Sequence, residues 1–301
     1  MGRMFDALKK VEQEKNQELK ADSPKTTQED IVLDSKMISF FEPSSMAGEQ
    51  FRKLRTRIIK PGTENTTKTI LITSAMAGEG KSLVAINFAV SIAAELHSYA
   101  LLVDCDLRNP TLSRWFGFDE SNGLSNYLVG QVELPDILIK TTVDKLSIIP
   151  GGALQENPVE LIGSQKMKSL VADLKARYAD RYIILDSSPL LATTEPSVIN
   201  EMVDGIIIVI RAGVTPRESV QQAIKLLDKK KIIGVVINDL EFKTEALIRR
   251  YFGSDRYYYN YHYSKVQQGP GAWSKFTALG RDMKMLFSRL RPGKKGDNSD
   301  K

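Results

Sequence analysis

A loop sequence between a strand-like run and a helix-like run constrains this chain more than any other feature. Residues 74–82 read Ser-Ala-Met-Ala-Gly-Glu-Gly-Lys-Ser, after the apolar run 69–73 and before the helical pattern 83–96. In such a context backbone N–H groups and the helix N-terminus surround a polyphosphate, the lysine contacts its outer oxygens, and the next hydroxyl binds Mg²⁺. The loop therefore predicts a nucleoside triphosphate site with Lys81 and Ser82 in these roles.

The loop departs from the usual pattern at one position, because Ala75 stands where a glycine six residues before the lysine is expected. A strand-to-helix turn that binds nothing is the alternative interpretation, but it does not explain why Lys81 and Ser82 directly follow Gly80. We therefore expect the second half of the loop to contact the phosphates: Ala77, Gly78, Glu79, Gly80, Lys81 and Ser82.

Two further apolar runs end in aspartate. Asp104 and Asp106 lie on one side of an extended segment because side chains alternate along a strand, and Asp186 ends the run 183–185. The carboxyl ends of parallel strands line the ligand crevice, and an aspartate there is the usual Mg²⁺ partner opposite the loop serine. Either strand-end aspartate taken alone could cap a helix. Three carboxylates together with a phosphate loop favour a metal–nucleotide site.

Strand-like and helix-like patterns alternate along the body of the chain. They cover 69–73, 82–96, 100–104, 146–149, 165–178, 182–186, 205–210, 217–229 and 232–237. This alternation predicts an α/β fold whose mainly parallel sheet has helices on both faces. The 301 residues, 42% of them hydrophobic, suffice for one large domain of this class with extensions.

The sequence divides into five predicted regions. They are an amphipathic helix at 1–19, a linker at 20–45, the phosphate-loop domain at 46–250, a tyrosine cluster at 251–264 and a basic amphipathic tail at 265–301. From Tyr251 onward, ten Lys and Arg stand against four Asp and Glu, so the basicity of the chain lies in its last part.

Three motifs together resemble the bacterial tyrosine kinases (BY-kinases) of exopolysaccharide synthesis. They are the loop ending Gly-Glu-Gly-Lys-Ser, the Asp-x-Asp-x-Arg run at 104–108 and the Asp-x-x-Pro run at 186–189. The resemblance covers about 41–263 and implies a phosphate-loop NTPase fold of the MinD/ParA-like type. Met76 occupies the position at which chromosome- and division-site-positioning ATPases carry an extra lysine. ATP is preferred to GTP because Asn238 lacks the Lys-x-Asp that follows in guanine-reading sites.

The resemblance implies a role for each polar residue. Lys81 and the loop amides would hold the β- and γ-phosphates of ATP, and Ser82 and Asp186 would order Mg²⁺ with help from Asp106. Asp104 would accept the proton of a tyrosine hydroxyl. The remaining assignments concern two residues: Arg108 would position the acids, and Asn238 would contact adenine. Phosphoryl transfer by positioning and charge neutralisation requires no covalent nucleophile.

Five tyrosines in seven residues follow the last predicted strand. In the family such tyrosines are autophosphorylation sites, so the resemblance implies transfer to Tyr257, Tyr258, Tyr259, Tyr261 and Tyr263. An aromatic segment packed on the domain edge is the alternative. Because these residues follow the body near the end of the chain, we expect phosphate to pass between neighbouring protomers of a homo-oligomer, and the added charges to loosen the assembly.

The run Glu49-Gln50-Phe51-Arg52-Lys53-Leu54-Arg55 resembles the Glu-x-x-Arg-x-x-Arg element through which family members contact a neighbouring protomer. We therefore predict an oligomer contact through Glu49, Arg52 and Arg55. Because these residues lie along one side of a helix, an ordinary i, i+3 ion pair on a solvated face is the alternative.

Family members are activated by a membrane-anchored chain-length regulator. No apolar run here reaches spanning length, so we expect a separate regulator that docks on the first helix or the tail. The single cysteine, Cys105, suits a reducing cytosol, and we predict a cytoplasmic protein peripheral to the inner face of the plasma membrane.

The tail pattern at 273–291 leaves two interpretations open: a helix on an anionic membrane surface, or docking in an apolar groove of protein. No base-reading motif accompanies its charge, so no nucleic-acid partner is expected. The main alternative for the whole chain is a non-kinase ATPase switch or scaffold that controls assembly at the membrane, which would not need the tyrosine cluster.

Overall fold

The computed structural model describes residues 33–59, 67–118, 122–177 and 180–239. Its strands are β1 Thr69–Ser74, β2 Tyr99–Asp104, β3 Ile139–Lys140, β4 Leu146–Ile149, β5 Arg181–Asp186, β6 Gly205–Arg211 and β7 Ile232–Asn238. Its helices are α1 Ile38–Phe41, α2 Met46–Ile58, α3 Lys81–Ala93, α4 Leu112–Trp115, α5 Leu124–Leu128, α6 Leu134–Ile137, α7 Pro158–Gly163, α8 Gln165–Arg177, α9 Glu195–Ile199 and α10 Arg217–Lys225. The predicted helix at 1–19, the tyrosine cluster and the basic tail lie outside the described residues.

The strands of the described residues form one seven-stranded sheet in the order β3-β4-β2-β5-β1-β6-β7. Every neighbouring pair is parallel except β3 and β4, which are antiparallel at one edge. β1 lies between β5 and β6, and β5 lies between β1 and β2. The prediction of a mainly parallel sheet is confirmed, and the loop after β1 is thereby adjacent to the ends of β2 and β5.

Helices cover both faces of this sheet, as predicted. Alternation along β1 sends Ile70 and Ile72 into a core with α2 and α3, whereas Leu71 packs in a second core with α7, α8, α9 and α10. Because both faces are buried, the central strands read as continuous apolar runs in the sequence. Among the described residues, no helix combines the length and hydropathy needed to cross a bilayer.

The segment before α2 is attached to the helix that follows the phosphate loop. Met37 is fully buried in the core that contains α3. The side-chain amide of Asn87, within α3, accepts a hydrogen bond from Ser39 N at 2.8 Å and donates one to Lys36 O at 3.0 Å. The folded body therefore includes residues of the segment that the sequence predicted as a linker.

Candidate active site

The phosphate loop runs from the end of β1 to the start of α3. Gly78 and Gly80 have φ angles of +78° and +88°, in the left-handed region that favours glycine. A Cβ on Gly80 would lie 2.1 Å from Asn238 Nδ2, whereas a Cβ on Gly78 would meet no atom within 4 Å. At Gly80 the loop thus packs against Asn238 at the end of β7. At Gly78 it faces open space, where its backbone can approach a ligand. Ala75, at the atypical first position, is fully buried.

Sheet register brings the predicted acids to this loop. Asp104, the last residue of β2, pairs in register with Asp186, the last residue of β5, and Asp186 also pairs with Ile72 of β1. Asp106 follows β2 by two residues, and its Oδ2 lies 2.8 Å from Lys81 Nζ. The structure therefore places Lys81 and the three acids at one edge of the sheet.

Asp104 is fully buried and accepts three backbone hydrogen bonds. Its Oδ2 accepts from Thr111 N at 2.8 Å and from Leu112 N at 3.0 Å, and its Oδ1 accepts from Asp106 N at 3.2 Å. Two of these donors, Thr111 N and Leu112 N, lie at the start of α4. Asp104 therefore also caps a helix, which the sequence left open as the alternative role of a strand-end aspartate. These bonds fix the carboxylate in one orientation beside Asp186.

Asp186 has a different environment. It is fully buried, and neither carboxyl oxygen accepts a hydrogen bond from the described residues. Burial raises the pKa of Asp186, and the Ser82 hydroxyl lies near enough to oppose part of that rise, although it forms no hydrogen bond of normal geometry with the carboxylate. A buried carboxylate without donors is expensive unless a cation is present. Asp186 and Ser82 therefore fit a hard cation such as Mg²⁺, whose ligands are oxygens.

Burial raises the pKa values of Asp104 and Asp186, and a neighbouring acid adds to each rise. Burial is the main cause of a pKa of about 7 for Asp104, and the charge of Asp186 raises it further against the backbone hydrogen bonds. Burial likewise raises the pKa of Asp186 to about 6, and the Lys81 ammonium opposes this rise. Burial lowers the pKa of Lys81, but Asp186 and Asp106 outweigh that effect and the net shift is upward. At this site three carboxyl groups therefore surround the ammonium of Lys81.

Arg108 points to a partner that the sequence did not indicate. Its Nε donates to Glu195 Oε1 at 2.7 Å, while half of its side chain remains exposed. Glu195 is almost fully buried at the start of α9, and its Oε2 has no hydrogen-bond partner among the described residues. Arg108 therefore links the loop after β2 to the segment after β5. The Glu195-Pro196 pair is a helix-start signal that could have located this acid at the same edge of the sheet.

Asn238 lies at the end of β7 against the phosphate loop. Its Nδ2 donates to Glu79 O at 2.9 Å, and its buried Oδ1 has no partner among the described residues. Part of this side chain therefore holds the loop. The free Oδ1 can accept a hydrogen bond, so the predicted contact with adenine remains a proposal that this geometry permits.

The three residues of α2 that were predicted to contact a neighbouring protomer have different partners within the described chain. Glu49 and Arg52 form an i, i+3 ion pair on the surface, which is the alternative that the sequence left open. Arg55 instead donates through Nη1 to Ser91 O in the last turn of α3, at 2.6 Å. Within one protomer Arg55 thus satisfies a carbonyl that a helix end leaves unpaired.

Met76 and Cys105, which the sequence analysis also singled out, differ in their exposure. Met76, at the place of the lysine found in chromosome-positioning ATPases, is 41% exposed on the loop. Cys105 is fully buried in the core on the other side of the strand from Asp104, as expected for the residue between two site acids.

Comparison with known proteins agrees with this site. Residues 67–238 match the family described as AAA domain. The tyrosine-protein kinase YwqD of Bacillus subtilis (strain 168) is 33% identical over 204 residues, 67% of this chain and 85% of that one. The kinase domain of the Escherichia coli tyrosine kinase ETK superposes with a TM-score of 0.65 and 26% identity, over 69% of this chain and 82% of that one.

The chimerical protein CapA2B2 superposes with a TM-score of 0.64 and 29% identity, over 70% of this chain and 93% of that one. The family match at 67–238 includes Lys81 and all three site acids. The chain therefore belongs to the bacterial tyrosine kinase family and is a nucleotide-binding protein-tyrosine kinase.

Proposed function

We propose that this protein transfers the γ-phosphoryl group of ATP to its own tyrosine cluster, between neighbouring copies, and thereby regulates exopolysaccharide or capsule synthesis. The observation that carries the proposal is the juxtaposition of Lys81 with three buried or nearly buried acids at the carboxyl edge of the sheet. The biological setting rests on the family resemblance. The acceptors would be Tyr257, Tyr258, Tyr259, Tyr261 and Tyr263.

The residues present fit ATP with Mg²⁺. Gly78 leaves the loop backbone open, Lys81 supplies a positive charge, and Asp186 offers two buried oxygens without donors. Ser82 and Asp186, with Asp106, would hold the metal ion. The bound ion would offset charge on the phosphates and the leaving group. The Lys81 ammonium, which now pairs with Asp106, would also bind the phosphate oxygens. The backbone N–H groups of the loop would orient the phosphates.

Asp104 is the group assigned to the acceptor proton. Its raised pKa makes the ionised carboxylate a stronger base than an ordinary aspartate, and its backbone hydrogen bonds hold it in place. The tyrosine Oη would lose its proton to Asp104 as it bonds to the γ-phosphorus, and the bond from that phosphorus to the bridging oxygen would break to release ADP. The donor–acceptor arrangement needs no covalent enzyme intermediate.

A test of the proposal compares two conservative variants of the full chain. Asp104→Asn and Asp186→Asn should both lose phosphotyrosine formation with ATP and Mg²⁺. ATP binding in the presence of Mg²⁺ should weaken more in Asp186→Asn, because that acid is assigned to the metal and Asp104 to the proton. Equal loss of affinity in both would contradict this division. ATP hydrolysis by the parent without any phosphotyrosine would instead favour the ATPase switch.

The assembly and its partners complete the proposal. We assign Glu49 and Arg52 to a contact with a neighbouring protomer, with Arg55 holding α2 to α3 beneath them. A separate membrane-anchored chain-length regulator would activate the kinase at the inner face of the plasma membrane. The basic tail would add contact with anionic lipid. Cross-linking of the purified protein, before and after incubation with ATP, tests the first assignment.

A further inference from the structure

The phosphate loop is held from the side opposite the acids by the side chain of Glu79. This carboxylate is 3% exposed, although it belongs to a loop. Its Oε2 accepts a hydrogen bond from Met76 N at 2.7 Å, within the loop itself. Its Oε1 accepts one from the hydroxyl of Thr215, which follows β6 and lies 136 residues further along the chain. Both oxygens of Glu79 are thus already hydrogen-bonded to groups of the protein.

Thr215 is itself fixed by its own turn. Its hydroxyl accepts a hydrogen bond from Arg211 N at 2.8 Å, and its backbone N donates to Arg211 O at 3.0 Å. The hydroxyl therefore has one donor and one acceptor, and it connects the last residue of β6 to the loop acid. Removing this hydroxyl would free one oxygen of Glu79 and take the acceptor from Arg211 N, whereas the backbone–backbone hydrogen bonds from Val214 N and Thr215 N to Arg211 O would remain.

The same loop residue is held a second time through its main chain. Asn238 Nδ2 donates to Glu79 O at 2.9 Å, and the missing Cβ of Gly80 makes room for that amide. Ala212 N donates to Asn238 O at 2.9 Å, so the turn after β6 and the end of β7 are themselves joined. Two neighbouring strand ends therefore act together on Glu79.

We infer that Glu79 and Thr215 are positioning residues for the nucleotide: they hold the phosphate loop in its binding conformation before ATP arrives. Glycines in the loop give it a large conformational freedom when it is not restrained. A loop that is already ordered loses less entropy on binding, which increases affinity. The inference rests on the proposed binding of ATP by this loop, and it deepens that proposal.

The test uses direct binding of a fluorescent ribose-labelled ATP with Mg²⁺ to the full chain. Thr215→Val keeps the side-chain shape and removes the hydroxyl, whereas Thr215→Ser retains it. The Val variant should bind on the order of tenfold more weakly, as for loss of one hydrogen bond to a charged acceptor. The Ser variant should bind like the parent. In kinase assays the Val variant should show a raised KM for ATP and a nearly unchanged kcat.

Thr141→Val is the matched control for stability. It removes a hydroxyl that joins Val143 and Leu146 at the β3–β4 edge, far along the sheet from the loop. It should lower the melting temperature and leave nucleotide affinity unchanged. Glu79→Gln is a second variant at the loop, because the neutral amide has one acceptor oxygen in place of two and loses the charge that strengthens the hydrogen bonds from Met76 N and Thr215; it should weaken binding as well.

Each outcome decides the inference. Parent-like affinity in Thr215→Val, or an equal loss in Thr215→Ser, would overturn it. If Thr215→Val does not fold, the affinity of Glu79→Gln relative to the parent decides instead. A parent protein that binds no ATP would contradict the proposed function itself, whereas a binding parent with unaffected variants would contradict only the roles of Glu79 and Thr215.

Discussion

Replacing Asp186 by Asn should make the stability of the nucleotide-free protein less dependent on pH. The parent buries this carboxyl without a hydrogen-bond donor, beside Asp104 on the neighbouring strand. Ionisation at that position is therefore costly in the folded state, and an amide cannot ionise. The substitution leaves the volume of the side chain nearly unchanged, so packing contributes little to the difference.

The sign and size follow from the pKa of Asp186. It is about 6 in the folded protein, mainly through burial, against an ordinary value of 3.8. Between these values the folded state binds more protons than the unfolded chain, so the free energy of unfolding falls as pH rises through this window. The whole shift corresponds to roughly 3 kcal/mol, of which about 1–1.5 kcal/mol falls between about pH 5 and about pH 8. The unpaired amide of the variant costs about 1–3 kcal/mol at every pH.

The assay is urea unfolding of both proteins near pH 5 and near pH 8, with a chelator and without nucleotide. The free energy of unfolding of the variant, minus that of the parent, should increase by about 1–1.5 kcal/mol from about pH 5 to about pH 8. Asp173→Asn, at an exposed position of α8, controls for the loss of one negative charge. Parallel pH curves for Asp186→Asn and the parent would refute the argument that this carboxyl is unpaired and buried.

Other substitutions test the site and the acceptors. Lys81→Met should abolish phosphotyrosine formation, and it should lower the melting temperature because the ammonium offsets three acids. Phe at all five clustered tyrosines should remove nearly all phosphotyrosine while ATP hydrolysis continues; mass spectrometry that finds the modification elsewhere would contradict the acceptor assignment. Phe276→Glu should reduce flotation with anionic vesicles, since buried apolar side chains and roughly 1 kcal/mol per basic residue would hold the tail there; binding indifferent to this change would favour docking on protein.

The long elements of the fold were predictable from the sequence. All nine predicted runs correspond to observed strands or helices, with ends that differ by four residues at most. Strands such as β5 and β6 are buried on both faces, so they read as uninterrupted apolar runs. The short elements were not predicted, because β3 has two residues and helices such as α4 and α6 have four. Such segments are too short for a periodic pattern to emerge.

The sequence predicted which acids lie together at the candidate site, but it predicted their contacts only in part. Strand ends located Asp104 and Asp186, because parallel strands bring their carboxyl ends together. The partners Glu195 and Thr215 were missed, since each acts through one side chain across a long sequence separation. The partner of Arg55 could not be predicted either. The spacing along α2 placed this residue on the same side of the helix as Glu49 and Arg52, but it did not indicate the hydrogen bond to Ser91 O.

Helix α3 connects the two kinds of binding proposed for this kinase. It begins at Lys81 in the phosphate loop, and Ser91 in its last turn accepts the hydrogen bond of Arg55 from α2. Thirteen residues span about 20 Å, so one helix separates the nucleotide from the helix assigned to protomer contact. If association of protomers raises the affinity for ATP, ATP must favour association by the same factor, because coupling between two sites is reciprocal. Nucleotide concentration would then set the fraction of protein that is assembled, and dilution of the protein would weaken its hold on ATP.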